Sequence, residues 1–194
     1  SRRDLFDPSR LDPRDIERYG NSDLGRHVLQ ARGLIEAGVR VVKVISYGWD
    51  SHGDHFNGSL SLMPKLDAAI ASLIEDLAAR GMLDKVLVVV LSEFGRTPRI
   101  NGHLGRDHWP EAWSVAMAGA GIVPGQVVGE TNPEGTEVKG NAFDIGHMFH
   151  TWFAALGLST ASTHYEQNGQ PLPLAHEGTH PVRALLRKAP EQAR

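Results

Sequence analysis

Residues 64–91 read PKLDAAIASLIEDLAARGMLDKVLVVVL, and two different periods meet inside them. Leu66, Ile70, Leu73 and Leu77 recur three or four residues apart, the stripe of an amphipathic helix. Pro64 suits the first turn of that helix and Gly81 its stop. Val86-Leu87-Val88-Val89-Val90-Leu91 then forms an unbroken apolar run, the pattern of a strand buried on both faces. Toward the N-terminus the same pair of signals repeats. Leu24, Val28, Ala31 and Ile35 predict a helix over 22–37, and Val39–Ile45, interrupted by Arg40 and Lys43, predicts a strand. Toward the C-terminus, Trp113–Ala120 is a third expected strand and 127–140 a Gly/Pro/Asn/Thr-rich loop or small hairpin. Asp144 can cap a helix carrying Ile145, Met148, Phe149, Trp152, Phe153 and Leu156, and Asn168-Gly169 suits a hairpin turn. Helix and strand alternate, which predicts an α/β fold with a mostly parallel sheet flanked by helices. The expected organisation is an exposed charged arm over 1–20, an α/β core over 21–160 and a C-terminal hairpin and tail over 161–194.

Composition narrows the function. The chain of 194 residues is 41% hydrophobic and 22% charged, within the range of ordinary globular proteins. Its 20 basic and 23 acidic side chains give a net charge of −3, which offers no footprint for nucleic acid or for an anionic membrane surface. No apolar run reaches the length of a membrane span. With no cysteine, thiol nucleophiles and cysteine-based zinc sites are excluded. There is no G-x-S-x-G elbow, P-loop or G-x-G-x-x-G fingerprint.

Polar groups concentrate just after the expected strands, where loops converge in an open α/β sheet. After the first lies Trp49-Asp50-Ser51-His52-Gly53-Asp54-His55; after the second, Ser92-Glu93-Phe94-Gly95-Arg96-Thr97-Pro98; before the third, Gly105-Arg106-Asp107-His108-Trp109-Pro110. Carboxylates and imidazoles together make a hard-to-borderline ligand set, suited to a divalent ion such as Zn²⁺, Mn²⁺ or Mg²⁺, or Ca²⁺. The candidate ligands are Asp50, His52, His55, Glu93 and His108. Arg96 and Arg106 could hold a planar or tetrahedral anion through paired N–H donors, and Glu93 could act as a general base. The competing reading makes the Asp and His residues turn formers, the arginines salt-bridge partners and His147 and His150 solvated groups on a helix.

Taken in order, these motifs resemble a sulfatase-like family of unknown function in the alkaline phosphatase superfamily, whose members are exported proteins. The likeness runs from about Tyr19 to Leu158 and is carried by Gly48-Trp49-Asp50-Ser51-His52, Glu93-Phe94-Gly95-Arg96-Thr97-Pro98 and Gly105-Arg106-Asp107-His108-Trp109-Pro110. The resemblance implies the C-terminal half of an alkaline-phosphatase-like fold and a periplasmic or extracellular setting. It also implies one metal held by Asp50, His52 or His55, and His108. Ser92-Glu93-Phe94-Gly95 resembles a Ser-Asp-His-Gly string that serves a second metal, but Glu93 stands for Asp and Phe94 for His. No candidate nucleophile follows a strand before Asp50, so the nucleophile is expected in an N-terminal half of a longer parent, and this chain alone is expected to be inactive. The function expected is metal-dependent hydrolysis of phosphate or sulfate esters, on a small molecule or glycan. The alternative is a non-catalytic protein whose metal-site loops bind a glycan or protein partner.

Overall fold

The computed structural model describes residues 6–140, 142–160 and 164–187. Its elements, in chain order, are α1 (Pro13–Arg18), α2 (Asp23–Glu36), α3 (His55–Ala79), β1 (Leu87–Val90), β2 (Gly95–Arg96), β3 (His108–Trp109), β4 (Ala116–Gly119), β5 (Glu130–Thr131), β6 (Val138–Lys139), α4 (Ile145–Ala155), β7 (His164–Gln167) and β8 (Gln170–Pro173). They divide into two compact units: Ser1–Gly81 with Arg96–His108, and Met82–Gly95 with Trp109–Arg194.

In the first unit α2 packs on α3, with α1 against both. Ser22 caps α2 by accepting from Gly25 N at 3.1 Å, and Gly25 is obligatory there because a Cβ would lie 2.1 Å from Gly20 O. The apolar stripe then buries Val28 and Leu29 against Tyr19 and Ala69, with Leu11, Ile16, Leu24, Val44 and Leu73 around them. Fully burying a side chain such as Leu29 contributes about 1.5–3 kcal/mol. Residues 13–18, inside the expected arm, are helical, and Tyr19 beside them is fully buried. The structure also buries a carboxylate. Asp76 on α3, 4% exposed, accepts from Tyr19 Oη at 2.8 Å, from Arg18 Nη1 at 2.9 Å and from Arg32 Nη1. Burial alone would raise its pKa, but these donors outweigh it and hold it down at about 2.

In the second unit β1 pairs antiparallel with β4, from Leu87↔Gly119 to Val90↔Ala116. Asp144 caps α4 as expected, in a reciprocal box with His147. Trp152 Nε1 on that helix donates to Met117 Sδ on β4 at 3.1 Å. The expected hairpin forms as β7–β8, with Asn168 and Gly169 at φ 53° and 77°, the left-handed pair of a tight two-residue turn.

Among the described residues the expected parallel sheet is absent. The ladders are two-stranded, β1–β4, β2–β3, β5–β6 and β7–β8, and no parallel pair or extended sheet occurs among the described residues. The α/β expectation, and with it the half alkaline-phosphatase fold, is overturned at Val39–Ile45. That segment forms no strand: Val44 turns toward the helical core, while Val41 and Ile45 are 84% and 51% exposed. A β-branched run reports fit to a pleated surface, but strand formation needs a neighbouring strand for its N–H and C=O groups, and no ladder includes this one; Val39 N donates back to Leu34 O at 3.0 Å. Without that strand α3 is no βαβ crossover. The helix also starts nine residues before Pro64, which lies inside it. Asp54, at its N-cap with φ 47°, makes no side-chain cap, and the His55 amide is satisfied by Leu104 O at 3.0 Å instead.

Candidate metal centre

Two loops of the first unit are stitched to each other by their backbones. Arg106 N donates to Ser51 O at 2.9 Å, Asp54 N to His103 O at 3.0 Å and His55 N to Leu104 O at 3.0 Å. Gly105 permits this approach, because a Cβ there would stand 2.1 Å from the His52 carbonyl. Asn101 organises the second loop. Its Oδ1 accepts from His103 N at 2.9 Å and Gly105 N at 3.0 Å, while Nδ2 donates to His52 O and Asp107 Oδ1, both at 3.0 Å. Arg106 Nη1 donates to Thr97 O at 2.6 Å and Pro98 O at 2.7 Å.

On this frame Asp50, His52 and His108 converge. Asp50 Oδ1 lies 3.0 Å from His52 Nε2 and 3.0 Å from His108 Nε2, and the two Nε2 atoms are 3.1 Å apart. Electron-rich atoms this close need a proton or a cation between them, and one central cation could serve all three pairs. Spacings of this size suit a cation that Asp50, His52 and His108 would hold through bonds of about 2.0–2.2 Å. All three residues are exposed to solvent.

The surroundings fit that role. His52 Nδ1 is 2.8 Å from Asp107 Oδ1, the imidazole–carboxylate pairing that accompanies metal-binding histidines. Arg96 Nη2 donates to Asp50 Oδ1 at 2.6 Å and Nη1 to Arg106 O at 3.2 Å. The His108 and Arg96 contacts hold the Asp50 carboxyl down at about 2. The His52 and Asn101 contacts lower that of Asp107.

Of the expected site residues, the structure brings Asp50, His52 and His108 together, with Arg96 touching the first. His55 is turned elsewhere: its Nδ1 is 2.7 Å from Ser51 Oγ, and burial, then Arg106 and Arg96, lower its pKa. Arg106 is engaged by loop carbonyls. Glu93 is exposed in a bend after β1, in the second unit, and is not one of the three converging ligands. Asp107 and Asn101 were not singled out from the sequence; the signal available was an Asp directly preceding the candidate ligand His108.

Compared with known proteins, residues 1–186 match the model of a family described as a protein of unknown function, DUF1501. The chain belongs to DUF1501. This overturns the resemblance to the sulfatase-like family of the alkaline phosphatase superfamily, since the matching family is DUF1501 and no match to that superfamily is found. No curated protein and no solved structure matches this DUF1501 chain. Among its described residues no helix is long and apolar enough to cross a membrane.

Proposed function

We propose that this DUF1501 chain binds one divalent cation through Asp50 Oδ1, His52 Nε2 and His108 Nε2 and uses it in hydrolysis of a phosphate or sulfate ester. The convergence of those three atoms within 3.1 Å of one another carries the reading. One carboxylate oxygen and two imidazole nitrogens favour Zn²⁺ or Mn²⁺ over Mg²⁺ and Ca²⁺, which prefer all-oxygen cages. A cation of this kind supplies Lewis-acid polarisation and activation of water. The chain's own residues supply position. Asp107 orients His52, Arg96 fixes Asp50, and the open side of the triangle admits an anionic ester whose charge the cation offsets. Arg106 serves as a loop brace in this reading rather than an anion clamp.

A second reading has the ion tie the 50–55 and 101–108 loops into a rigid surface for a glycan or protein partner. It is favoured by the arginines, both of which spend guanidinium donors on protein acceptors. The test is metal content and zinc or manganese titration of the chelated protein, with turnover of aryl phosphates and aryl sulfates by the longest natural protein that contains this chain. One bound equivalent, with turnover abolished by His108→Ala, supports the hydrolase. One bound equivalent that raises the melting temperature without any turnover supports the binding surface; at 100 times Kd the stabilisation is about 2.7 kcal/mol. No bound equivalent rejects both.

A further inference from the structure

The pairing of His52 with Asp107 lies one step deeper in the same centre, and its role rests on the metal reading of that centre. We infer that Asp107 is the positioning residue that commits His52 to the ion, with Asn101 holding Asp107 in place. A carboxylate oxygen only accepts, so the 2.8 Å contact between Asp107 Oδ1 and His52 Nδ1 requires the proton on Nδ1. With Nδ1 so protonated, it is Nε2 that faces Asp50 and His108, and its lone pair is there for a cation in place of the proton those close contacts otherwise need. An isolated imidazole has no such commitment.

Asp107 is itself held from two sides. Its Oδ1 also accepts from Asn101 Nδ2 at 3.0 Å, and that amide reaches His52 O as well, so one side chain ties both the ring's own backbone and its carboxylate partner. The Asp107 main chain is fixed by Thr97, whose N donates to Asp107 O at 2.9 Å and whose Oγ1 accepts from Asp107 N at 3.0 Å. Adjacent residues thus divide the work: His108 is a ligand, and Asp107 orients the other histidine.

The experiment compares wild type, Asp107→Ala, Asp107→Asn and His108→Ala by zinc titration, with ¹H–¹⁵N imidazole NMR of the zinc-loaded proteins to read the His52 Nδ1 proton and melting of the metal-free proteins to check the fold. Zinc affinity is expected to fall about 10–100-fold in Asp107→Ala. Asp107→Asn should recover part of that loss, because its carbonyl oxygen still accepts from Nδ1–H. In the zinc-loaded proteins the His52 Nδ1 proton should be protected from solvent exchange in wild type and exchange freely in Asp107→Ala, which a purely structural role would not produce. If Asp107→Ala binds zinc within about twofold of wild type while His108→Ala loses it, or if the His52 Nδ1 proton stays as protected without Asp107, the positioning role is overturned and the metal reading stands. If wild type takes up no zinc, both fall.

Discussion

Arg96 Nη2 donates to Asp50 Oδ1 at 2.6 Å, and that same oxygen stands 3.0 Å from both His52 Nε2 and His108 Nε2. One carboxylate atom is therefore the common point of the site. The arginine contributes a fixed donor on one side and leaves the two imidazoles to share the other.

That geometry makes the ionisation of Asp50 a readout of its neighbours. Its carboxyl is held at about 2, first by His108 and next by Arg96. In the metal-free protein, Arg96→Met should raise the pKa part of the way toward the ordinary carboxylate range, and His108→Ala should raise it at least as far. Carboxyl ¹³C titration checks both. A value still near 2 in both variants would mean that other groups hold the charge.

The two histidines that spacing could not separate should behave differently. His52 carries its Nε2 into the triangle, while His55 opens α3 with Nδ1 2.7 Å from Ser51 Oγ. His52→Gln is expected to cost zinc affinity more than tenfold and His55→Gln less than threefold, measured by competition with a chromophoric chelator. Equal losses would move the ligand assignment.

The site was more legible in the sequence than the fold, for a physical reason. Asp50 and His52 lie in a glycine-containing loop and His108 opens the short strand β3 after another, and their chemistry shows in residue type alone. Which imidazole points inward is decided by contacts fifty residues away, such as Asp107 on His52, and spacing carries no trace of them. The helices were readable because their period is local, and α2 and α4 fall where their stripes and caps place them. Val39–Ile45 has the composition of a buried strand, but pairing is non-local, and the run joins no ladder. Pro64 misled for a similar reason: a proline fits a first turn best, yet three residues of the turns before it, Phe56, Leu60 and Met63, keep helical spacing.

Acid should loosen the first unit through Asp76. Its folded pKa, about 2, lies below the ordinary value of 3.8, so its ionised contacts stabilise the fold fully above about pH 4. That contribution is lost as pH falls from about 4 through 2. The shift corresponds to roughly 2–3 kcal/mol for a group this buried. Denaturant unfolding of the chain should show this loss over that window, and Asp76→Asn should flatten it while lowering stability at neutral pH. Removing the carboxylate leaves Arg18, Arg32 and Arg80 facing one another without it. An unchanged acid limb in Asp76→Asn would assign the effect to other carboxylates.

Gly105 tests the frame without touching any ligand. A Cβ at this position would lie 2.1 Å from the His52 carbonyl carbon and oxygen and 2.4 Å from Gly53 N, all of them backbone atoms that cannot rotate away. Gly105→Ala must therefore push the 101–108 loop off the 50–55 loop, straining the Arg106 N to Ser51 O bond and the Asn101 bonds to His52 O and Gly105 N. Overpacking of this kind costs about 1–3 kcal/mol. Because His52 and His108 are delivered by the two different loops, the variant should lose zinc affinity by tenfold or more with all three ligands intact. Melting and zinc titration read the two effects separately. A variant that melts lower yet binds zinc as wild type does would show that the triangle does not depend on the loops' close approach. A variant that loses both would tie the metal centre to the one position in the second loop where only glycine fits.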